Sequence, residues 1–145
     1  MTCTIDSMDS APVRVMIVDD QPPFRNAARA VLERASAFEL VAEAGSGEEA
    51  IDLVGEIQPD LILMDINMGG MTGIDATTVI TNAHPEVTVV LVSTYQVEDL
   101  PPDVHESGAA AYLHKEDLSA RALRKVWESG GEPGWRRRNG GAAAS

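Results

Sequence analysis

Leu61-Ile62-Leu63-Met64-Asp65 is the stretch that decides the fold: a continuous apolar run that stops at an aspartate. A strand with one wet face would alternate apolar and polar residues, whereas an unbroken run suits a strand covered on both faces. Pro59 ends a helical pattern in front of it, and the glycine-rich loop Gly69-Gly70-Met71-Thr72-Gly73 leads out of it into another. Helix before, strand, helix after is the signature of a layered α/β unit.

Working outward, the alternation continues in both directions. Val13-Arg14-Val15-Met16-Ile17-Val18 is a β-branched run that ends in Asp19-Asp20. Pro22-Pro23 then open a helix, where the missing N–H of proline is harmless in the first turn. Phe24, Ala27, Ala28, Val31 and Leu32 fall at helical spacing and form its expected apolar face. Residues 40–44 read as a weaker second strand closed by Gly45, and Ser46-Gly47-Glu48-Glu49 has the form of a capping box. Ala50, Leu53, Val54 and Ile57 supply the inward face of the helix behind it. The helix after the glycine-rich loop should stop near His84-Pro85. Residues 87–92 form the fourth strand, ending in Ser93-Thr94. Leu100-Pro101-Pro102 interrupts the next helical stretch, so a loop through Pro101 and a shortened fourth helix near 103–107 are expected. Residues 109–113 are the last strand and 118–128 the last helix, with Leu118, Ala122, Val126 and Trp127 facing inward. Strands alternating with helices imply right-handed crossovers, hence a doubly wound five-stranded parallel sheet with helices on both faces.

The bulk numbers agree with one such unit. The chain has 145 residues, 44% hydrophobic and 23% charged, which is enough to bury a core without disulfides or a structural metal. Cys3 is the single cysteine, so there is no disulfide framework or zinc quartet, as fits a reducing cytoplasm. The apolar runs are strand-sized and give no membrane span. Residues 1–11 carry Asp6 and Asp9 but no Lys or Arg, unlike a secretory signal, and read as a flexible tail. Residues 12–129 make the domain; residues 130–145, rich in Gly, Pro, Arg and Ala, read as a second flexible tail or a linker stub. A formal charge of −12 argues against direct nucleic-acid binding, and Arg136–Arg138 sit in the tail as a solvated cluster.

In a sheet of this kind ligands gather beyond the carboxyl ends of the strands. The first strand delivers Asp19 and Asp20 there, the third Asp65, the fourth Ser93 and Thr94, and the last Lys115, just after Tyr112-Leu113-His114. Each alone is ordinary, because an Asp at a strand end is commonly a turn former. Their conjunction is specific. Three clustered carboxylates repel one another without a cation, and hard oxygen ligands with room for water and phosphate suit Mg²⁺, with Mn²⁺ possible. A hydroxyl and an ammonium opposite them would hold the oxygens of a phosphoryl group on Asp65.

With these residues in place the chain resembles the receiver domains of two-component response regulators. Val18-Asp19-Asp20-Gln21-Pro22-Pro23-Phe24-Arg25 looks like the start of receivers that often precede helix-turn-helix output domains. Asp60 to Met68 looks like the phosphoacceptor strand, and Gly108 to Lys115 like the end of the family pattern. The resemblance implies a flavodoxin-like strand order 2-1-3-4-5. It implies Asp65 as phosphoacceptor, Asp20 as a direct Mg²⁺ ligand, Asp19 acting through metal-bound water, and the backbone carbonyl of Asn67 as a further ligand. Ser93 becomes the switch hydroxyl, with Thr94 as the competing assignment, Lys115 the phosphate-binding lysine, and Tyr112 the aromatic that changes rotamer. The implied donor is a sensor histidine kinase or phosphotransfer protein, and the implied target an output domain or downstream protein. The domain would catalyse only its own phosphoryl transfer and autodephosphorylation, in the cytoplasm.

Gly69 stands where the family usually has Pro, Thr94 where it has Ala or Gly, and Glu116 where Pro is common. Pro101-Pro102 interrupt the fourth helix, part of the surface many receivers use to dimerise, and leave the oligomeric state open. An Asp-nucleophile phosphatase would need a second Asp as general acid where Asn67 stands. A flavodoxin-like electron carrier would need a phosphate-cradling loop after the first strand, where Asp19-Asp20 would repel one. The competing reading is a docking module that works without phosphorylation. His84, His105 and His114 are scattered, lack zinc spacing and read as surface residues; Met68, Met71 and Trp127 read as packing residues.

Overall fold

The computed structural model describes residues 11–96 and 99–129, so the two expected tails lie almost wholly outside the described residues. Strands β1 (Val13–Val18), β2 (Phe38–Ala44), β3 (Leu61–Asp65), β4 (Thr88–Ser93) and β5 (Ala111–His114) pair in parallel in the order β2-β1-β3-β4-β5. Helices α1 (Pro22–Glu33), α2 (Gly47–Ile57), α3 (Gly73–Ala83) and α4 (Ala120–Ser129) cover both faces. No described helix is long and apolar enough to cross a membrane.

Two cores explain the layering. Met16, Val18, Ile62, Met64, Val89 and Leu91 point to one face, where Val54, Ile74 and Ile80 from α2 and α3 close over them. Val15, Ile17, Leu61, Leu63 and Val90 point to the other, beneath Ala28, Leu32, Leu123 and Val126 of α1 and α4. Each central strand is therefore apolar on both sides, and Leu61–Met64 is wholly buried.

Several boundaries differ from expectation for local reasons. The second strand begins at Phe38, whose ring is buried, rather than at residue 40. Ala27 is exposed, and α1 buries Ala28 and Leu32 instead. The Ser46 hydroxyl accepts from Glu49 N at 3.1 Å, but Glu49 reaches past the cap to Gly45 N at 2.8 Å. The shortened fourth helix is a 3-10 turn, Pro102–Glu106, because Pro101 and Pro102 deny it the donors of an α-helix. The last helix starts at Ala120, not 118, behind a second 3-10 turn at Lys115–Asp117. Its buried residues are Leu123 and Val126; Leu118, Ala122 and Trp127 are half-buried.

Register places the site. Val18 pairs with Met64, Asp65 with Val92 and Ser93 with His114. The next residues along, Asp19, Thr94 and Lys115, therefore emerge together with Asp65 at one edge of the sheet.

Candidate functional site

The acidic half is built by β1 and β3. One carboxylate oxygen each from Asp19, Asp20 and Asp65 lies within 4.8 Å of the others. Asp19 is fully buried, Asp65 2% exposed, and Asp20 open to solvent. Asp19 is fixed at three points. Its Oδ1 accepts from Gln21 N at 2.8 Å, its carbonyl accepts from the Arg25 guanidinium, and its Oδ2 lies 2.8 Å from Lys115 Nζ. That last contact is an ion pair without good hydrogen-bond direction, and Asp19 Oδ2 has no other donor.

Lys115 joins the halves. Its ammonium is 3.4 Å from Asp65 Oδ1 and stands over the Phe24 ring, 4.6 Å from the centroid. Burial, and then the charge of Asp19, push the Asp65 carboxyl up to about 6, while Lys115 and the Asn67 N–H pull it down. An extra cation among these carboxylates would relieve that repulsion. Three hard oxygen ligands, one of them a buried carboxylate oxygen that accepts no hydrogen bond, fit a small divalent cation.

The loop after β3 explains one departure from the family pattern. Gly69 N donates to Asp20 Oδ2 at 3.3 Å, a bond that proline at this position could not make. Two residues on, Met71 N donates to Glu48 Oε2 at 3.4 Å. Two carboxylates thus hold a loop that lacks the stiffness of proline. Gly73 closes it: a Cβ there would lie 1.9 Å from the Asp65 carbonyl, and its N–H donates to Ile66 O at 2.9 Å. Sequence reasoning named only a glycine-rich loop, and Gly73 is the member whose missing side chain the site requires.

The hydroxyl half hangs from β4 and β5. Ser93 is buried, with its Oγ accepting from Tyr95 N at 3.0 Å, whereas Thr94 is exposed. Of the two competing hydroxyls, Ser93 is therefore the inward one. Tyr112 is 5% exposed, and its hydroxyl meets the carbonyl of Ser93 at 3.0 Å and that of Tyr95. Burial raises the Tyr112 phenol above its ordinary value, so it stays a donor. Asn67 is exposed, its side-chain oxygen accepting from Tyr95 Oη at 3.4 Å. His84 is half-buried, its Nδ1 3.7 Å from Glu86 Oε2, and the His105 side chain lies outside the described residues. His114 corrects its expectation: it is half-buried, with both ring nitrogens engaged, by Thr94 O at 3.0 Å and Glu116 N at 3.1 Å. Met68, Met71 and Trp127 pack against the cores as expected.

Comparison with known proteins gives the same outline. Residues 15–127 match the response regulator receiver domain. The chain is 34% identical over 128 residues to the transcriptional regulatory protein DegU of Brevibacillus brevis, covering 86% of this chain and 54% of that one. It is 38% identical over 111 residues to the nitrate/nitrite response regulator protein NarP of Escherichia coli, covering 74% and 50%. The chain thus spans about half the length of the curated relatives it matches. Among solved structures, a LuxR-family two-component response regulator from Aurantimonas sp. SI85-9A1 superposes with a TM-score of 0.73 at 30% identity, over 82% of this chain and 84% of that one. The receiver domain of the putative response regulator NarL from Mycobacterium tuberculosis gives 0.70 at 28%, over 81% and 94%.

Proposed function

The chain belongs to the response regulator receiver family, and from that premise we propose that Asp65 accepts a phosphoryl group from a sensor histidine kinase or phosphotransfer protein, in a Mg²⁺-dependent reaction. The observation that carries this reading is the Lys115 ammonium held between Asp19 and Asp65 beside a three-carboxylate cluster. In the transfer, a bond forms between an Asp65 carboxylate oxygen and phosphorus. The bond from phosphorus to the donor imidazole breaks, and the imidazole leaves with the electron pair and takes up a proton.

A carboxyl pushed up to about 6 is still ionised at neutral pH, as a nucleophile must be. Asp19, Asp20, Asp65 and the Asn67 carbonyl would hold Mg²⁺ or Mn²⁺, which would neutralise charge on the transferring group. Lys115 and Ser93 would take the remaining phosphoryl oxygens, and Tyr112 would follow Ser93 as the switch. The domain would catalyse only its own phosphorylation and autodephosphorylation. Since the relatives named above are regulators about twice as long, the phosphorylated state would act on an output domain or a separate cytoplasmic protein.

The test is phosphate transfer from a labelled, phosphorylated histidine phosphotransfer domain. Label should reach this chain only with Mg²⁺ or Mn²⁺ present, as an alkali-labile acyl phosphate, and more slowly in Lys115→Ala. Label that stays on a competent donor would favour a docking module that works without phosphorylation.

A further inference from the structure

Three successive carbonyls leave β4 at its carboxyl end, and side chains of β5 hold all of them. The Tyr112 hydroxyl lies against Ser93 O and Tyr95 O, and the His114 ring against Thr94 O, at 3.0 Å. Tyr112 and His114 are two apart on one strand, so both side chains leave the same face of β5. The other ring nitrogen of His114 is used as well, because Glu116 N donates to Nδ1 at 3.1 Å. A backbone N–H can only donate and a carbonyl can only accept. The ring is therefore the neutral tautomer with its proton on Nε2, donating to Thr94 O.

Those two bonds join the residues next to the two groups that would grip a phosphoryl oxygen. Thr94 follows Ser93 on the chain, and Glu116 follows Lys115. The Glu116 bond also caps the 3-10 turn Lys115–Asp117 that directs the lysine toward Asp19 and Asp65. His114 and Glu116 also border a cleft of about 370 Å³, together with Tyr95, Tyr112 and Asp117. Among the described residues the segment after Ser93 is also tied by Tyr95 N to Ser93 Oγ, Tyr95 Oη to Asn67 and Asp99 N to Gln96 O, and Tyr95 and Leu100 pack against the core.

We propose that His114 is a positioning residue, a staple that sets the Ser93 hydroxyl and the Lys115 ammonium at a fixed spacing across the Asp65 carboxylate. It rests on the reading of Asp65 as phosphoacceptor, but its structural half stands without it. Neither nitrogen touches the reacting atoms. Their effect passes through two main-chain groups, one on each side of the site. A side chain without nitrogen at this position leaves the Glu116 N–H and the Thr94 carbonyl to solvent and uncouples the two.

The test has two arms on the full chain. In the first, long-range ¹H–¹⁵N correlation of the unphosphorylated protein near neutral pH should show His114 protonated at Nε2 alone. In His114→Leu the amide signals of both Tyr95 and Glu116 should shift, and Glu116 should exchange faster. His114→Asn, whose side-chain oxygen reaches the Nδ1 position, should restore Glu116 but not Tyr95. In the second arm, phosphorylation by phosphoramidate with Mg²⁺ should slow between about tenfold and a hundredfold in His114→Leu, as for a misplaced site. His114→Asn should fall between Leu and wild type. A proton on Nδ1, or amides indifferent to His114→Leu, overturns the staple. Shifted amides with an unchanged rate overturn its positioning role. If wild type takes no phosphoryl group, the reading of Asp65 fails, and the amide arm alone decides whether the staple spans the two segments.

Discussion

The acidic half of the site and the hydroxyl half are held by different means. Asp19 and Asp65 leave β1 and β3, strands buried on both faces, and their carboxylates stand where the sheet register puts them. Glycine 73 then locks the exit of β3 by packing backbone on backbone. The hydroxyl half leaves an equally buried strand, β4, but among the described residues the carbonyls just beyond it are held by the tips of Tyr112 and His114, with the Tyr95 and Leu100 side chains against the core. A half fixed by backbone is suited to chemistry, which needs constant geometry. A half fixed by a few side-chain bonds, each worth about 1 kcal/mol, is suited to moving.

If that contrast is right, damage to the acidic half should be large and local. Gly73→Ala puts a methyl group 1.9 Å from the Asp65 carbonyl, and no flexible side chain is there to yield. Thermal unfolding should show a loss of about 3 kcal/mol or more. An unchanged melting temperature would mean that the exit of β3 is not locked.

Next in size is the cation. Mg²⁺ at roughly a hundred times its dissociation constant should stabilise the fold by about 2.7 kcal/mol, and Asp20→Ala should remove most of that gain. Equal gains in both proteins would place the cation elsewhere.

A somewhat smaller effect follows from Asp65 itself. Its folded value of about 6 lies above the ordinary 3.8, so without divalent cations the folded chain holds that proton more tightly than the unfolded one. The stabilisation is complete below about pH 4 and is lost as pH rises through 6. Asp65→Asn should therefore be more stable than wild type at pH 7 by on the order of 2 kcal/mol, with the difference closing toward pH 4. Denaturant titrations at the two pH values check this; a gap that widens on acidification would contradict it.

The smallest change belongs to the hydroxyl half. Tyr112→Phe should cost about 1 kcal/mol while leaving the acidic half untouched. In an amide spectrum, shifts should gather at Ser93 to Gln96 and spare Asp19 and Gly73. Shifts spread over both halves would erase the distinction between them.

The same contrast governs how far the molecule was legible in its sequence. Leu61–Asp65, Val13–Asp20 and the run ending at Ser93 announced both the sheet and its charged edge, because burial on two faces leaves an unmistakable apolar run. The helix faces were read less well. Ala27 and Ala28 are equally apolar, and only the crossing of α1 over the sheet decides that Ala28 turns inward. Leu123 was missed in the last helix because its start was placed at 118, before the 3-10 turn that resets the face. What stayed hidden in the site were bonds made by main-chain groups. Gly69 looked like a loosened proline position until its N–H was seen on Asp20, and His114 looked like a surface histidine until both nitrogens were found engaged. Residue types announce side-chain chemistry; they say little about which carbonyl or N–H lies opposite.

The central claim, that Asp65 carries the phosphoryl group, is tested most directly by intact mass after incubation with phosphoramidate and Mg²⁺. The account predicts one added phosphoryl group on the wild-type chain, absent when Mg²⁺ is withheld and absent in Asp65→Asn. An adduct that survives Asp65→Asn, or a wild-type chain that takes none under conditions that phosphorylate a known receiver, would contradict it.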